Sequence, residues 1–216
     1  MNNWFLKACR ETKSLFLFIA MMLIFRSAVA DWNEVPTGSM KPTILEGDRI
    51  FVNKMAYDLR VPFTHISLFK ISDPEPGDIV IFDSEASDKR LVKRVIGVPG
   101  DIVALKNNEL IINGKPIGYT SLSSSPTSIT RVESLTDAQH LIQVNKQRSV
   151  QSSFDSVVVP ADYYLVLGDN RDHSADSRMI GFVPREEIVG KSSHVVLSLN
   201  YENYYIPRKD RFLHKL

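Results

Sequence analysis

From Arg49 onward, apolar and polar positions alternate in short runs divided by turn residues, which is the period-two signature of half-buried strands. The runs RIFVNK (49–54), DIVIFD (78–83), RLVKRVIG (90–97), DIVALK (101–106), ELIING (109–114), YYLVLGD (163–169) and HVVLSL (194–199) are rich in Val, Ile, Phe and Tyr. Asn107-Asn108 separates two of these runs and Asn113-Gly114 closes another, and such residues tolerate the positive φ of tight hairpins. The pattern predicts a mostly β, antiparallel domain. Residues 119–129, YTSLSSSPTSI, read as an exposed connection, and TRVESL with HLIQV reads as a further hairpin turning near Thr136-Asp137. Residues 146–156 are polar again, so 119–156 reads as a variable excursion to which no chemistry is assigned. The tail NYENYYIPRKDRFLHKL mixes aromatic and basic residues, which suits either an edge of the fold or contact with lipid head groups.

The amino-terminal pattern is different. Lys7, Arg10 and Lys13 stand against Glu11 alone and precede the unbroken apolar run Leu15 to Phe25. Eleven residues at about 1.5 Å each reach about 16 Å; extension through Arg26 to Trp32 reaches about 27 Å, near the roughly 30 Å of a bilayer core. Arg26 would then have to snorkel to the interface. A basic start, a short apolar stretch and Ala28-Val29-Ala30 before Asp31 also satisfy the pattern of a cleavable signal peptide. Under both readings the positive flank stays in the cytoplasm and residues after about 32 lie across the membrane.

Composition narrows the classes. A chain of 216 residues with 44% hydrophobic content can bury the core of one domain with a short appendage. Twenty-six Lys and Arg against 25 Asp and Glu leave a net charge of +1, which gives no bulk electrostatic case for a nucleic-acid partner. Cys9 is the single cysteine, which excludes an intrachain disulfide and a cysteine-rich metal site.

Three segments carry candidate chemistry. In VPTGSMKPT (35–43), Gly38 lets a substrate backbone approach while Pro36 and Pro42 stiffen the loop around Ser39, although the same residues build ordinary turns. Thr37 and Lys41 occupy the positions where an α/β-hydrolase nucleophile elbow needs glycine. Ser67-Leu68-Phe69-Lys70 matches an S-x-x-K motif without the partner motifs of penicillin-binding enzymes. In RLVKRVIGVPGD (90–101), strand alternation puts Lys93 on the face of Leu91 and Val95. A lysine buried there would lose hydration of its charged form and become competent as a base; at the ordinary pKa of about 10.4 only about one in 2,500 is neutral at pH 7. The alternative lays its stem along the sheet with the ammonium in water. In LGDNRDHSADSRMIGFVP (167–184), Asp169, Asp172, Asp176, Arg171 and Arg178 are dense enough for a paired network or for a solvated charged turn. His173 suggests a triad and Asp169 to Asp176 a metal, but neither zinc-protease nor calcium-loop spacing is present, and no metal or cofactor is assigned.

Taken in order, VPTGSMKPTILEGDRIFVNKMAY, GDIVIF, RLVKRVIGVPGDIV with INGKPI, and GDNRDHSADSRMIGFVP resemble the bacterial signal peptidase I family, membrane-anchored serine proteases that remove signal peptides from exported proteins. The similarity runs from about Arg26 to Gly190. It implies an antiparallel β catalytic domain of signal-peptidase type with one N-terminal transmembrane helix: 1–14 cytoplasmic, 15–32 the anchor, 33–216 extracytoplasmic. It implies Ser39 as nucleophile, Lys93 as general base, and an oxyanion held by the Ser39 N–H and the Thr37 hydroxyl, where many members have serine. It implies that Ser174 positions the lysine amine, and that Gly168, Asp169, Asn170, Asp172, Asp176 and Arg178 form the supporting network, with no role for His173, Met179 or Ile180. The expected partners are signal-peptide-bearing preproteins cut after A-x-A-like sites and membrane lipid, with no nucleic acid. The resemblance favours an uncleaved anchor in the inner membrane, with Ala30-Asp31 a candidate self-cleavage point. A specialised conjugation or secretion-system peptidase and an inactive membrane-tethered assembly protein are the alternatives; self-cleaving repressors, which also use Ser/Lys chemistry, carry a DNA-binding helical domain that is not visible here.

Overall fold

A computed structural model describes residues 12–64, 66–135, 138–147 and 149–216. The basic segment with Lys7, Cys9 and Arg10, and the turn at Thr136-Asp137, lie outside the described residues. The apolar run forms helix α1, Lys13–Ala28, whose side chains from Leu15 to Phe25 are exposed. At 1.5 Å per residue its 16 residues reach only about 24 Å, and among the described residues no helix is long and apolar enough to cross a membrane. The expected anchor over 15–32 is corrected at its end. Helix geometry stops at Ala28, and Ala30–Glu34 is strand β1, because its backbone pairs with a neighbouring strand from Ala30↔Asn53 to Glu34↔Arg49.

The strands that follow are β2 (Asp48–Asn53), β3 (Asp58–Arg60), β4 (Ser67–Lys70), β5 (Ile79–Ser84), β6 (Lys89–Gly97), β7 (Ile102–Lys106), β8 (Glu109–Ile112), β9 (Lys115–Pro116), β10 (Gly118–Ser124), β11 (Ser128–Leu135) and β12 (Ala138–Asn145). They continue with β13 (Phe154–Val158), β14 (Tyr163–Leu167), a short helix α2 (Ser177–Ile180), β15 (Val183–Pro184), β16 (Ile188–Asn200), β17 (Ile206–Pro207) and β18 (His214–Lys215). The main sheet runs β1-β2-β16-β5-β6-β14-β15, with β17 and β18 also on β16, so the basic and aromatic tail edges the fold. Smaller sheets are β10-β11-β12, β13-β7-β8-β9 and β3-β4, and every strand pairing is antiparallel.

Local chemistry explains the turns. Asn107 and Asn108 take φ of 52° and 63° between β7 and β8, and Asn113 and Gly114 take 52° and 75° between β8 and β9, as the sequence predicts. The predicted hairpin of TRVESL and HLIQV exists as β11 and β12. The predicted exposed connection is corrected: Gly118–Ser124 is a strand because β11 offers it a pairing edge, and its Ser- and Thr-rich side chains remain outward.

One core cluster positions the Ser39 loop. Val35, Met40 and Ile44 are buried with Ile50 and Val52 of β2, Ile79 and Ile81 of β5, and Val195 of β16. Each such side chain stabilises the fold by about 1.5–3 kcal/mol, so the loop is fastened on both sides of Ser39. The chain leaving it is fixed as well, because Arg211 donates to both oxygens of buried Asp48 at 2.6 and 3.1 Å and to the Thr43 carbonyl at 2.9 Å.

Candidate active site

Ser39 lies in a single 3-10 turn, Gly38–Met40, closed by Lys41 N–H donating to the Gly38 carbonyl at 3.1 Å. Thr37 precedes it in extended backbone, exposed. Lys93 lies on β6 opposite Val80 and is 2% exposed. Its Nζ is 2.9 Å from Ser39 Oγ and donates to the Val92 carbonyl at 2.9 Å. The strand register that put Lys93 on the face of Leu91 and Val95 therefore delivers its amine to the serine. Burial pushes that amine down from 10.5 to about 8; the Asp176 and Asp169 carboxylates oppose this, and the Arg178 guanidinium adds to it. A neutral amine with a free lone pair beside a serine hydroxyl can accept its proton.

The loop is clamped by the segment after β14. Asn170 N–H donates to the Ser39 carbonyl at 3.0 Å, and Asn170 Nδ2 donates to the Gly38 carbonyl at 3.0 Å. Gly168 permits this approach: a Cβ there would lie within 2.5 Å of Ser174 Cβ and of the Ser39 carbonyl oxygen. Gly168 N–H donates to Asp176 Oδ2 at 3.0 Å, and Arg178 donates to both oxygens of that carboxylate at 2.8 and 2.7 Å. Asp169 receives a bidentate Arg94 pair at 2.9 and 2.7 Å and the Thr43 hydroxyl at 2.5 Å. Burial would raise the Asp169 carboxyl, but the Arg94 charge and its hydrogen bonds outweigh it and hold the group below the usual range. Asp172 instead faces outward toward the small sheet, accepting from Asn145 N–H at 2.7 Å and from Asn108 Nδ2.

Ser174 departs from its expected role. It is buried in this cluster, yet its Oγ forms no hydrogen bond, and the lysine amine is held by Ser39 and Val92. Ser174 packs against Gly168, and the Val92 carbonyl takes an amine proton in its place. His173 is exposed, with Nε2 3.1 Å from Asn145 Nδ2. Ser67 and Lys70 lie apart from this centre, Ser67 donating to Asp58 and Lys70 paired with Asp73.

Several contributors were missed in the sequence. Alternation marked Arg94 only as the face opposite Lys93, although it is the partner of Asp169. The excursion 119–156, assigned no chemistry, supplies Glu133 of β11, which is completely buried. Glu133 accepts from Arg171 at 2.6 Å and from the Tyr119 hydroxyl at 2.6 Å, with His140 Nε2 3.1 Å away. Burial would raise this carboxyl, and the Arg171 charge reverses that, holding it at about 2. Gln143 N–H on β12 donates to the Asp169 carbonyl at 2.8 Å, so the small sheet backs the segment that clamps the Ser39 loop. The only signal in the sequence was a glutamate at an inward position of a weak strand.

A groove of about 520 Å³ opens over the pair, walled by Trp32 to Met40 without Gly38 and by Lys89 to Lys93. Two strand-like walls with a nucleophile between them suit an extended peptide.

The family model for signal peptidase, peptidase S26, matches residues 9–197. The chain is similar to signal peptidase I of Pseudomonas aeruginosa, 35% identical over 202 residues that cover 86% of this chain and 71% of that one. It is similar to signal peptidase I of Bacillus amyloliquefaciens, 35% identical over 184 residues that cover 85% and 82%. A solved signal peptidase I from Enterococcus faecalis is 30% identical and aligns with a TM-score of 0.37 over 56% of this chain and 98% of that one.

Proposed function

The chain belongs to the signal peptidase family, peptidase S26, and as such is a serine endopeptidase that removes signal peptides; we propose that Ser39 and Lys93 carry that reaction. The single observation supporting the assignment is a buried amine, lowered to about 8, standing 2.9 Å from a loop serine. Ser39 Oγ attacks the scissile carbonyl while Lys93 Nζ takes the hydroxyl proton. The oxyanion is held by the Ser39 N–H and by the hydroxyl of Thr37, a residue of the groove wall. Collapse breaks the C–N bond, and the Lys93 ammonium returns its proton to the departing amine. The resulting ester is opened by water, which gives Lys93 a proton as it attacks, and Ser39 recovers its hydrogen. Asn170, Gly168, Asp169, Asp176 and Arg178 hold these groups in register. Ser174 is buried against Gly168, next to the loop that carries the serine.

The substrates are preproteins with small residues before the cut. Helix α1 enters the bilayer, its exposed face from Leu15 to Phe25 meeting lipid, with the basic terminus in the cytoplasm and 33–216 beyond the membrane. Incubating detergent-solubilised protein with a secretory precursor, then weighing the products, tests the reading. Ser39→Ala should keep the fold and yield no mature protein; retained cleavage refutes the assignment.

A further inference from the structure

The groove over Ser39 and Lys93 carries charged residues on both walls beyond the reacting pair. On β6 the Lys93 side chain reaches Ser39, and alternation puts Leu91 and Lys89 on the same face of the strand. At about 3.3 Å per residue they lie about 7 and 13 Å further along it. Leu91 is half-buried, and Lys89, the first residue of β6, is exposed. Arg90, on the alternate face, is occupied: it donates to the two oxygens of Asp83 at 2.6 and 2.8 Å. On the other wall Val35 is buried in the core, so Glu34 turns outward, and its carboxylate already accepts the Tyr201 hydroxyl. Lys89 forms no hydrogen bond or ion pair with the described residues. It is the charged side chain of the groove left to meet a substrate.

The groove leads from Ser39 toward the end of α1. Trp32 on one wall lies 4.9 Å under the Arg26 guanidinium, and Arg90 on the other borders a small hollow with Ser27 and Ala28. The apolar stretch of a preprotein precedes its cut site and shares the bilayer with α1, so the residues before the cut occupy this groove. An extended substrate advances as the strand beside it does. With the scissile carbonyl at Ser39, the residue before the cut stands beside Lys93, the third before it beside Leu91 and the fifth beside Lys89. Those three residues share one face of an extended chain, so the fifth side chain turns to this wall and the fourth turns away.

We propose that Lys89 determines specificity at the fifth residue before the cut, favouring preproteins with an acidic side chain there and disfavouring those with a basic one. The inference rests on the function proposed above. The A-x-A rule constrains the first and third residues and leaves the fifth open. One exposed charge pair changes kcat/KM by about threefold in either direction, so glutamate should exceed lysine by about tenfold.

The test mixes the full chain, in detergent, with soluble A-x-A peptides carrying Glu, Gln or Lys at the fifth residue before the cut. Because the peptides compete in one reaction, mass analysis of the products reads the ratios of kcat/KM whatever the amount of folded enzyme. In about 0.05 M salt Glu should lead Lys by about tenfold, with Gln between. In about 0.5 M salt, where charges are screened beyond about 4 Å, the lead should shrink to about threefold or less. Lys89→Glu should reverse the order, Lys89→Gln erase it and Lys89→Arg preserve it. Moving the charge to the fourth residue should bring the ratio within about twofold of unity. Equal rates for the three peptides in the unmodified enzyme overturn the proposal, as does an order that survives in Lys89→Gln. An equal preference at the fourth residue overturns it too, since the whole groove and not Lys89 would then set the charge. Failure of the unmodified enzyme to cut any of the peptides overturns the assignment of Ser39 and Lys93 instead.

Discussion

Replacing Lys93 with methionine keeps the side chain's length and deletes its amine, and the consequence for stability can be worked out. The distance between 10.5 and about 8 means that the folded protein disfavours the charged amine by about 3 kcal/mol at pH 7. The folded value lies below the unfolded one, so between pH 8 and 10.5 the unfolded chain holds the extra proton. The penalty is therefore complete below about pH 8 and vanishes above about 10.5; at pH 10 about 1 kcal/mol remains. Lys93→Met escapes it at every pH but gives up two hydrogen bonds, to Ser39 and Val92, worth about 1 kcal/mol each. The variant should thus be more stable than the parent by about 1 kcal/mol at pH 7 and less stable by about 1 kcal/mol at pH 10, with no proteolysis at either. Denaturant unfolding of both proteins in detergent at the two pH values reads the difference. Parental kcat/KM should climb with pH to a midpoint near 8. A stability difference independent of pH, or a rate profile with its midpoint near that of free lysine, would refute a dry neutral base.

Thr37→Val should lower kcat about 100- to 1,000-fold, as removal of one oxyanion donor does, with the preprotein KM little altered; an unchanged kcat removes Thr37 from the mechanism. Glu133→Ala leaves Arg171 charged and buried and should cost about 3–5 kcal/mol in denaturant unfolding, whereas a loss under 1 kcal/mol would mean the ion pair carries little of the site's rigidity. The Ala30-Asp31 bond should survive prolonged incubation of the folded enzyme, because Ala30 and Asp31 are paired with Asn53 and Val52; a product of intact-mass analysis beginning at Asp31 would show that this pairing opens.

All seven apolar runs became strands, and Asn107-Asn108 and Asn113-Gly114 became hairpin turns, because period-two burial and positive φ are local properties that residue types express directly. The placement of Lys93 followed from the same alternation. What stayed illegible was long-range. Arg94 fell on the strand face opposite Lys93, and nothing local pointed to Asp169, which arrives just after β14; Glu133 belonged to a weak strand and is paired by Arg171 from the 3-10 turn Arg171–His173. β10 formed from serines and threonines because a neighbour's edge, not its own pattern, called for a strand. The end of α1 was misjudged for a related reason: the expected span was carried through to Trp32 on length alone, and pairing of Ala30 to Glu34 with β2 ends the helix sooner.

Ser39 and Lys93 both belong to the first half of the chain, yet the parts that hold them are translated much later. Asn170, which grips the Ser39 carbonyl, follows the serine by 131 residues; β16, which lies between β2 and β5, ends at Asn200; and Arg211 fixes the turn at Asp48. A ribosome that has made both reactive groups has not yet made their scaffold. In this fold Ser39 and Lys93 are therefore held in place by segments that come after both of them in the chain.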